Sequence, residues 1–147
     1  PDLRRQIRAA ANDQAQVTDA SLLIVLCADL KAWEKGPARY WSNAPEDVQC
    51  YMDTAIRNYY TDREQVQRDE AMRTAGIAAQ TIMLAAKSMG YDTCPMDGFD
   101  FDKVAELINL PGNHAVAMFV AVGIALQPAR PRPTQLALQD IVIQDRF

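Results

Sequence analysis

The alternation of apolar and polar residues along the chain predicts helices and strands in an α+β order. Leu3 and Ile7 share one face of an N-terminal segment rich in helix formers. The run SLLIVLCAD is short, continuous and rich in β-branched residues, which is typical of a buried strand at Leu22–Ala28. Pro45 suits the first position of the next helix, which we expect to end near Tyr60.

The longest helical pattern runs from Arg63 to Met89 without a proline, and Gly90 suits its end. Thr61 or Asp62 could cap its start. The second half is apolar almost all round, which is typical of a helix buried on several sides. Because a chain of this size offers little cover, we expect part of that burial to come from a second subunit.

The remaining pattern predicts one more helix, two strands and an arm. A short helix is expected over Lys103–Asn109, with Asp100 or Asp102 as its cap. The Val/Phe content of HAVAMFVAVGIAL favours a central strand. The proline-rich QPARPRPTQLALQ predicts an extended arm, and DIVIQDRF predicts a last strand at about Asp140–Asp145. Three strands form a thin sheet, which we expect a partner or a further segment to complete.

Composition narrows the class of protein. The 147 residues suit one domain, and 49% apolar residues with 23% charged ones are ordinary for a globular protein. The net charge of −4 and the lack of a basic cluster argue against nucleic-acid binding. Neither a membrane span nor a signal peptide is indicated, so a cytoplasmic location is expected. Three scattered cysteines and the single His114 argue against a disulfide framework, a metal site and a Ser-His-Asp triad.

The segment DTCPMDGFD, Asp92–Asp100, is the first candidate for chemistry. Pro95 fixes one φ and Gly98 frees another, so the backbone can bend sharply without a Cβ at its apex. The N–H groups around Asp97 and Gly98 precede a helix and can point at an acceptor. A tight turn is the commoner explanation of such a loop, and the residues alone leave both interpretations open.

Three further sets of residues have a functional and a structural interpretation. Arg130 and Arg132 are two positions apart in an extended arm, so they could bind one phosphate or simply be solvated. Cys94 has no histidine near it in sequence to activate it, which favours a bystander over a nucleophile. A third set of aromatic residues on one helix could line a pocket but more often serves a core or an interface: Tyr51, Tyr59 and Tyr60.

Three stretches together resemble a known family. QVTDASLLIVLCAD, AGIAAQTIMLAAKSMGYDTCPMDGFD and HAVAMFVAVGIALQPARPRP look like the C-terminal two-thirds of the FMN-dependent nitroreductases, which are NAD(P)H-dependent flavin oxidoreductases. The resemblance covers essentially the whole chain. It implies a thin mixed or antiparallel sheet packed by helices, and a long buried central helix at a dimer interface. It also implies a C-terminal strand that extends to the partner.

The resemblance also implies a homodimer with FMN at the interface and a site of six cofactor-binding residues: Pro95, Met96, Asp97, Gly98, Arg130 and Arg132. The first two would line the flavin ring, the next pair would present backbone N–H groups to flavin N5, and the arginines would hold the phosphate. The flavin carries the chemistry, so no catalytic side chain is implied. NAD(P)H is the expected reductant and a nitroaromatic or quinone the expected acceptor, bound in turn in ping-pong fashion.

One part of the family pattern is missing from residues 1–147. The N-terminal flavin-binding segment, with its Arg-Ser-x-Arg phosphate motif and a Ser/Asn-rich stretch, does not occur in this sequence. We therefore expect a single, N-terminally truncated nitroreductase-like domain, either a fragment of a longer enzyme or a short form. The alternative function is a non-catalytic dimerisation module that keeps the fold and has lost the flavin site.

Overall fold

The computed structural model describes residues 2–146. Its strands are β1 Leu22–Asp29, β2 Asp92–Met96 and β3 His114–Gly123. Its α-helices are α1 Asp2–Ala10, α2 Gln16–Asp19, α3 Glu46–Tyr60, α4 Glu64–Ser88, α5 Phe101–Leu107 and α6 Leu138–Ile141. Two short 3-10 helices, Ala32–Glu34 and Pro37–Trp41, connect β1 to α3. The predicted helices ending at Tyr60 and near Met89 are confirmed, as is the strand that begins at Leu22.

The three strands form one antiparallel sheet in the order β1-β3-β2. Phe119 of β3 pairs with Val25 on one side and Met96 on the other, so β3 is the central strand that its composition predicts. The register of β1 shifts between Leu26 and Cys27, as at a β-bulge. The sheet is thin, as expected, and β1 and β2 are its edges.

Helices cover both faces of this sheet. On one face, α1, α2 and α5 enclose a core in which the Phe119 ring stacks on Phe99 at 3.8 Å between centroids. Ile7, Val17 and Val104 complete its centre and are almost fully buried. A core of this kind fixes the positions of the α1–α2 connection and of the segment that follows β2.

The long helix α4 lies on the opposite face and contacts all three strands. Ala75, Ala79 and Ala86 are its buried alanines, with Ala79 only 1% exposed, and small side chains let helix and sheet approach closely. The other side of α4 stays open in the single chain, where Ile77 is 64% and Leu84 62% exposed. Burial on several sides is therefore not achieved within one chain.

The segment Asp92–Met96 corrects one prediction, since a strand stands where the sequence indicated only a loop. Thr93 pairs with Val122 in the ladder with β3. Pro95, which suggested a loop, is tolerated because β2 is an edge strand. The predicted cap of α4 is also wrong, because Arg63 is the N-cap residue and no side chain bonds to the helix start.

The predicted C-terminal strand at Asp140–Asp145 is wrong within this chain. Asp140 belongs to the short helix α6, in which Val142 N–H donates to the Leu138 carbonyl at 2.9 Å. Asp145 has a left-handed φ of 64°, which interrupts extended backbone. A strand needs a neighbour for its ladder, and the described residues pair nothing with this segment. The irregular, exposed arm before it is confirmed.

Candidate functional site

The predicted loop is held at both ends by buried side chains. Met96 is 5% and Phe99 8% exposed, and both belong to the core described above. Asp97 and Gly98 between them are exposed. Asp100 then caps α5, because its carboxylate accepts from Lys103 N–H at 2.9 Å, which confirms the predicted cap. The loop is therefore a short surface protrusion with fixed ends.

Two backbone donors on this protrusion have no acceptor within the described part of the chain. Phe99 N–H donates to the Asp97 carbonyl at 3.1 Å, which closes a tight turn. Among residues 2–146, the N–H groups of Asp97 and Gly98 donate to no backbone or side-chain acceptor. An exposed N–H can be satisfied by water or by a ligand, so this pair offers two fixed donors to an acceptor group.

The Gly98 carbonyl, in contrast, is held by side chains from the far end of the chain. The amide groups of Asn12 and Gln14 donate to it at 3.1 and 3.0 Å. These residues were missed by sequence reasoning, because the partners lie 86 and 84 positions apart. The only local signal was the polar NDQ stretch at the end of α1, where Asn12 and Asp13 adopt left-handed φ values of 51° and 54°.

Neither backbone conformation nor packing requires glycine at position 98. Gly36 and Gly90 have positive φ values, whereas Gly98 does not. A Cβ built on Gly98 would meet only the Gln14 amide nitrogen, at an ordinary contact distance of 3.7 Å. The bare Cα next to two unpaired donors is consistent with a flat ligand that approaches the backbone closely.

Of the other predicted site residues, Met96 faces away from this pair of donors and the two arginines lie apart from it. The Met96 side chain packs in the core, so only its backbone could contact a ligand, whereas Pro95 is exposed. Arg130 and Arg132 lie in the exposed arm after β3, and the described contacts do not join them to the loop. The Arg132 guanidinium lies 3.1 and 2.6 Å from the Gln135 amide oxygen when that amide faces it.

A cavity of about 600 Å³ opens between β1, α3 and α4. Aromatic rings form much of its wall, and Trp33 stacks on Tyr60 at 6.2 Å between centroids. Burial raises the pKa of the Tyr60 hydroxyl, and the nearby Glu70 carboxylate raises it further, so this group stays neutral at pH 7. Of the predicted aromatic set only Tyr60 lines the cavity, since Tyr51 and Tyr59 are exposed on α3.

A smaller cleft of about 330 Å³ runs beside β2, on the face that carries α2. Cys94 and Gln16 line it, and the Gln16 amide nitrogen lies 4.0 Å from the Cys94 sulfur. The six predicted cofactor-binding residues line neither this cleft nor the larger cavity. The predicted site is therefore an exposed sheet edge and not a cavity within one chain.

The single histidine already has a polar partner. His114 Nδ1 lies 3.0 Å from the Asn113 side-chain oxygen, and the ring stands at the start of β3. Over residues 2–146, no set of three or more His, Cys, Asp or Glu side chains could hold a metal ion. In the same residues, no helix is both long and apolar enough to cross a bilayer. What the loop can do chemically is bind an acceptor atom through backbone N–H groups.

Comparison with known proteins identifies the protein family. A sequence profile of the Nitroreductase family matches residues 1–124. The chain is 56% identical over 123 residues to Protein DrgA of Synechocystis, a match that covers 84% of this chain and 59% of that protein. It is 31% identical to MhqN of Bacillus subtilis over 96% of this chain and 72% of that one. MhqN is named as an NAD(P)H nitroreductase. The chain belongs to the nitroreductase family.

Solved structures agree with this assignment. The fold of YdfN from Bacillus subtilis matches with a TM-score of 0.88 and 29% identity, over 97% of this chain and 72% of that one. A protein from Exiguobacterium sibiricum, solved in complex with FMN, matches with a TM-score of 0.86 at 24% identity, which shows the fold alone. The nitroreductase-like α+β fold is confirmed. The chain spans 59% of the length of its Synechocystis relative.

Proposed function

We propose that this protein is an FMN-dependent oxidoreductase that uses NAD(P)H to reduce a nitroaromatic or quinone-type acceptor. Family membership and the names of relatives such as MhqN support the oxidoreductase role. The observation that carries the assignment of the site is the unpaired pair of N–H donors at Asp97 and Gly98, beside a glycine that the chain itself does not require.

The residues of this loop fit a flavin ring. Bound FMN would supply reversible hydride acceptance at its N5 atom. The Asp97 and Gly98 N–H groups would donate to the acceptor edge of the ring, and the exposed Pro95 would contact its surface. Because these donors are fixed and add no side chain, they would stabilise charge on the ring while leaving room for a substrate. The reductant and the acceptor would then occupy the same place in turn.

We assign the FMN phosphate to Arg130 and Arg132. Both side chains lie on the exposed arm, two positions apart, and no carboxylate among residues 2–146 pairs with either of them. Each charge-assisted hydrogen bond to a phosphate contributes about 1.5–3 kcal/mol. Replacing both by alanine should weaken FMN binding and leave riboflavin, which has no phosphate, bound as before. Equal loss for the two ligands would refute the assignment.

We infer that the working unit is a homodimer. In one chain the loop is an open edge, and the outer side of α4 exposes large apolar residues such as Ile77 and Leu84. A second subunit would cover this surface and supply the missing wall of a flavin pocket. The exposed apolar residues of the C-terminal segment, including Leu138 and Ile141, would pack on that partner.

A direct test of the function uses the purified full-length protein. Its visible spectrum should show bound flavin, which NAD(P)H bleaches without oxygen and a quinone or nitroaromatic restores. A protein that stays colourless after FMN is added would exclude the oxidoreductase. If that colourless protein were still a folded dimer, it would be the dimerisation module instead.

A further inference from the structure

The loop that carries the two free N–H donors contains a residue with high conformational freedom. Gly98 is exposed and lacks a Cβ, so its backbone has more conformational freedom than that of any other residue type. Donors that are free to rotate bind an acceptor weakly, because ordering them costs free energy on binding. Something outside the loop must therefore hold it.

Two side-chain amides do this from the α1–α2 connection. Asn12 Nδ2 and Gln14 Nε2 converge on the Gly98 carbonyl at 3.1 and 3.0 Å, so both lone pairs of that oxygen can be used. The peptide that contains this carbonyl also donates its Phe99 N–H to Asp97. The carbonyl and the N–H of the Gly98–Phe99 peptide are therefore both hydrogen-bonded, which fixes ψ of Gly98. With this angle fixed, the N–H groups of Asp97 and Gly98 keep one direction.

The two amides are themselves held in place. Gln16 donates to the Gln14 side-chain oxygen at 3.1 Å, which turns the Gln14 amino group toward Gly98. Ala11 and Val17, on either side of the connection, are both 0% exposed. The left-handed φ of 51° at Asn12 aims its side chain back over the loop, in a conformation that asparagine tolerates well.

We propose that Asn12 and Gln14 are positioning residues that preorganise the Asp97 and Gly98 N–H groups for the flavin ring. The inference rests on the proposed function for its ligand. A purely structural role is already filled by another contact, because Asp100 N–H donates to the Ala10 carbonyl at 2.9 Å and joins the same two segments. The two amides add orientation at Gly98, next to the donors.

The test uses a double variant with a matched control. Asn12→Gly/Gln14→Met removes both amides, and glycine keeps the left-handed backbone at position 12. The control Asp13→Gly/Gln6→Met makes the same two kinds of change at exposed positions of the same loop and helix. Asp13 also has a left-handed φ, and neither control side chain contacts Gly98.

Two readouts are compared in the full-length protein. Without flavin, the ¹⁵N order parameter of Gly98 should fall in the double variant and stay unchanged in the control. With flavin, the Kd for FMN and the Kd for riboflavin should both rise about tenfold over the control. In the double variant the loop must be ordered during binding, and we expect the free energy this costs to be about that of one hydrogen bond. Both ligands should be affected equally because the contact is to the ring and not to the phosphate.

The possible results distinguish the positioning role of Asn12 and Gln14 from the proposed flavin-dependent function. An unchanged order parameter at Gly98 would overturn the positioning role. So would a lower order parameter with unaltered affinity for both flavins. If the parent protein binds neither flavin, the proposed function fails, while a fall in the Gly98 order parameter would still support the amides as what holds the loop.

Discussion

At the scale of single residues, a glycine is informative when neither its φ nor its packing calls for one. Gly90 ends α4 with a φ of 83°, so its identity follows from backbone geometry alone. Gly98 has no such reason within the chain, and it stands beside two unpaired donors. That contrast could not be seen in the sequence, where both glycines follow an apolar segment and suggest turns.

The first prediction follows from the open space at Gly98. We expect Gly98→Ala to change the free energy of unfolding by no more than about 0.5 kcal/mol, as an unstrained surface change. Flavin reduction by NAD(P)H should slow by about a hundredfold, because a displacement of about 1 Å at a reacting centre has that effect. Stopped-flow reduction and thermal melts measure the two quantities.

Two control variants sharpen this test. Gly112→Ala, also in open surroundings, should leave the reduction rate unchanged. Asp97→Asn should do the same, because the proposed contact uses the backbone and not the carboxylate. A Gly98→Ala protein that melts early but is reduced at the parent rate would make position 98 a structural turn only.

A separate prediction concerns Asp92 and the stability of the fold at acid pH. The Ala125 N–H and then Lys87 bond to its carboxylate and hold the pKa of Asp92 below its usual value. A lowered pKa in the folded state stabilises the fold above the unfolded value of about 3.9, and this stability is lost as the pH falls through the folded pKa. The melting temperature of Asp92→Asn should therefore fall less steeply than that of the parent below about pH 4.

The matched control for this pH effect is Asp62→Asn, at an exposed position in the turn before α4. The melting temperatures of both variants and of the parent are measured at each pH between pH 7 and pH 3. A melting temperature of Asp92→Asn that falls as steeply as that of the parent would show that the ionised Asp92 contributes nothing to the acid sensitivity of the fold.

At the scale of elements, periodicity predicted those elements whose signal is local. The helix that ends at Tyr60, the long α4 and the central strand β3 were all predicted from their own residues. The strand β2 was not, because Pro95 and Gly98 suggest a loop and only pairing with β3 makes a strand of Asp92–Met96. The predicted C-terminal strand did not form, because its apolar alternation has no neighbouring strand among residues 2–146.

One element-scale prediction concerns the cap of α5. Asp100→Ala removes the side-chain acceptor for Lys103 N–H and should lower the free energy of unfolding by about 1 kcal/mol. Asp100→Ser should recover most of that loss, because serine also caps. Chemical denaturation measures both, with Asp102→Ala as a control in the same helical turn. Equal losses for Asp100→Ala and Asp102→Ala would mean that the cap has no specific role.

For the whole molecule, the fold class and the exposed turn at Asp97 and Gly98 could be predicted from the sequence. The contacts that shape the site could not be. Asn12 and Gln14 meet Gly98 only because α1 and the segment after β2 share one core. The assignment of Arg130 and Arg132 to a phosphate remains a prediction, because the arm lies apart from the loop in a single chain. A second subunit is what would bring such parts together.

The exposed side of α4 is where we expect a second subunit to bind. Ile77 and Leu84 are seven residues apart and therefore share one helix face. Replacing both by lysine should convert the proposed dimer to a folded monomer, since two charges cannot be buried unpaired at an interface. Sedimentation velocity and far-UV circular dichroism measure this, with Gln6→Lys/Gln65→Lys as a control of equal charge. A double variant that stays dimeric would place the interface elsewhere.

The proposed function depends on contact between the flavin ring and the Asp97 and Gly98 N–H groups. A ¹H–¹⁵N correlation spectrum recorded while FMN is added to the flavin-free protein tests this contact. We expect saturation at one FMN per chain, with the Asp97 and Gly98 amide resonances moving far more than that of Gly36, a glycine between the two 3-10 helices. Saturable binding that leaves the Asp97 and Gly98 resonances in place would exclude contact between these N–H groups and the flavin ring.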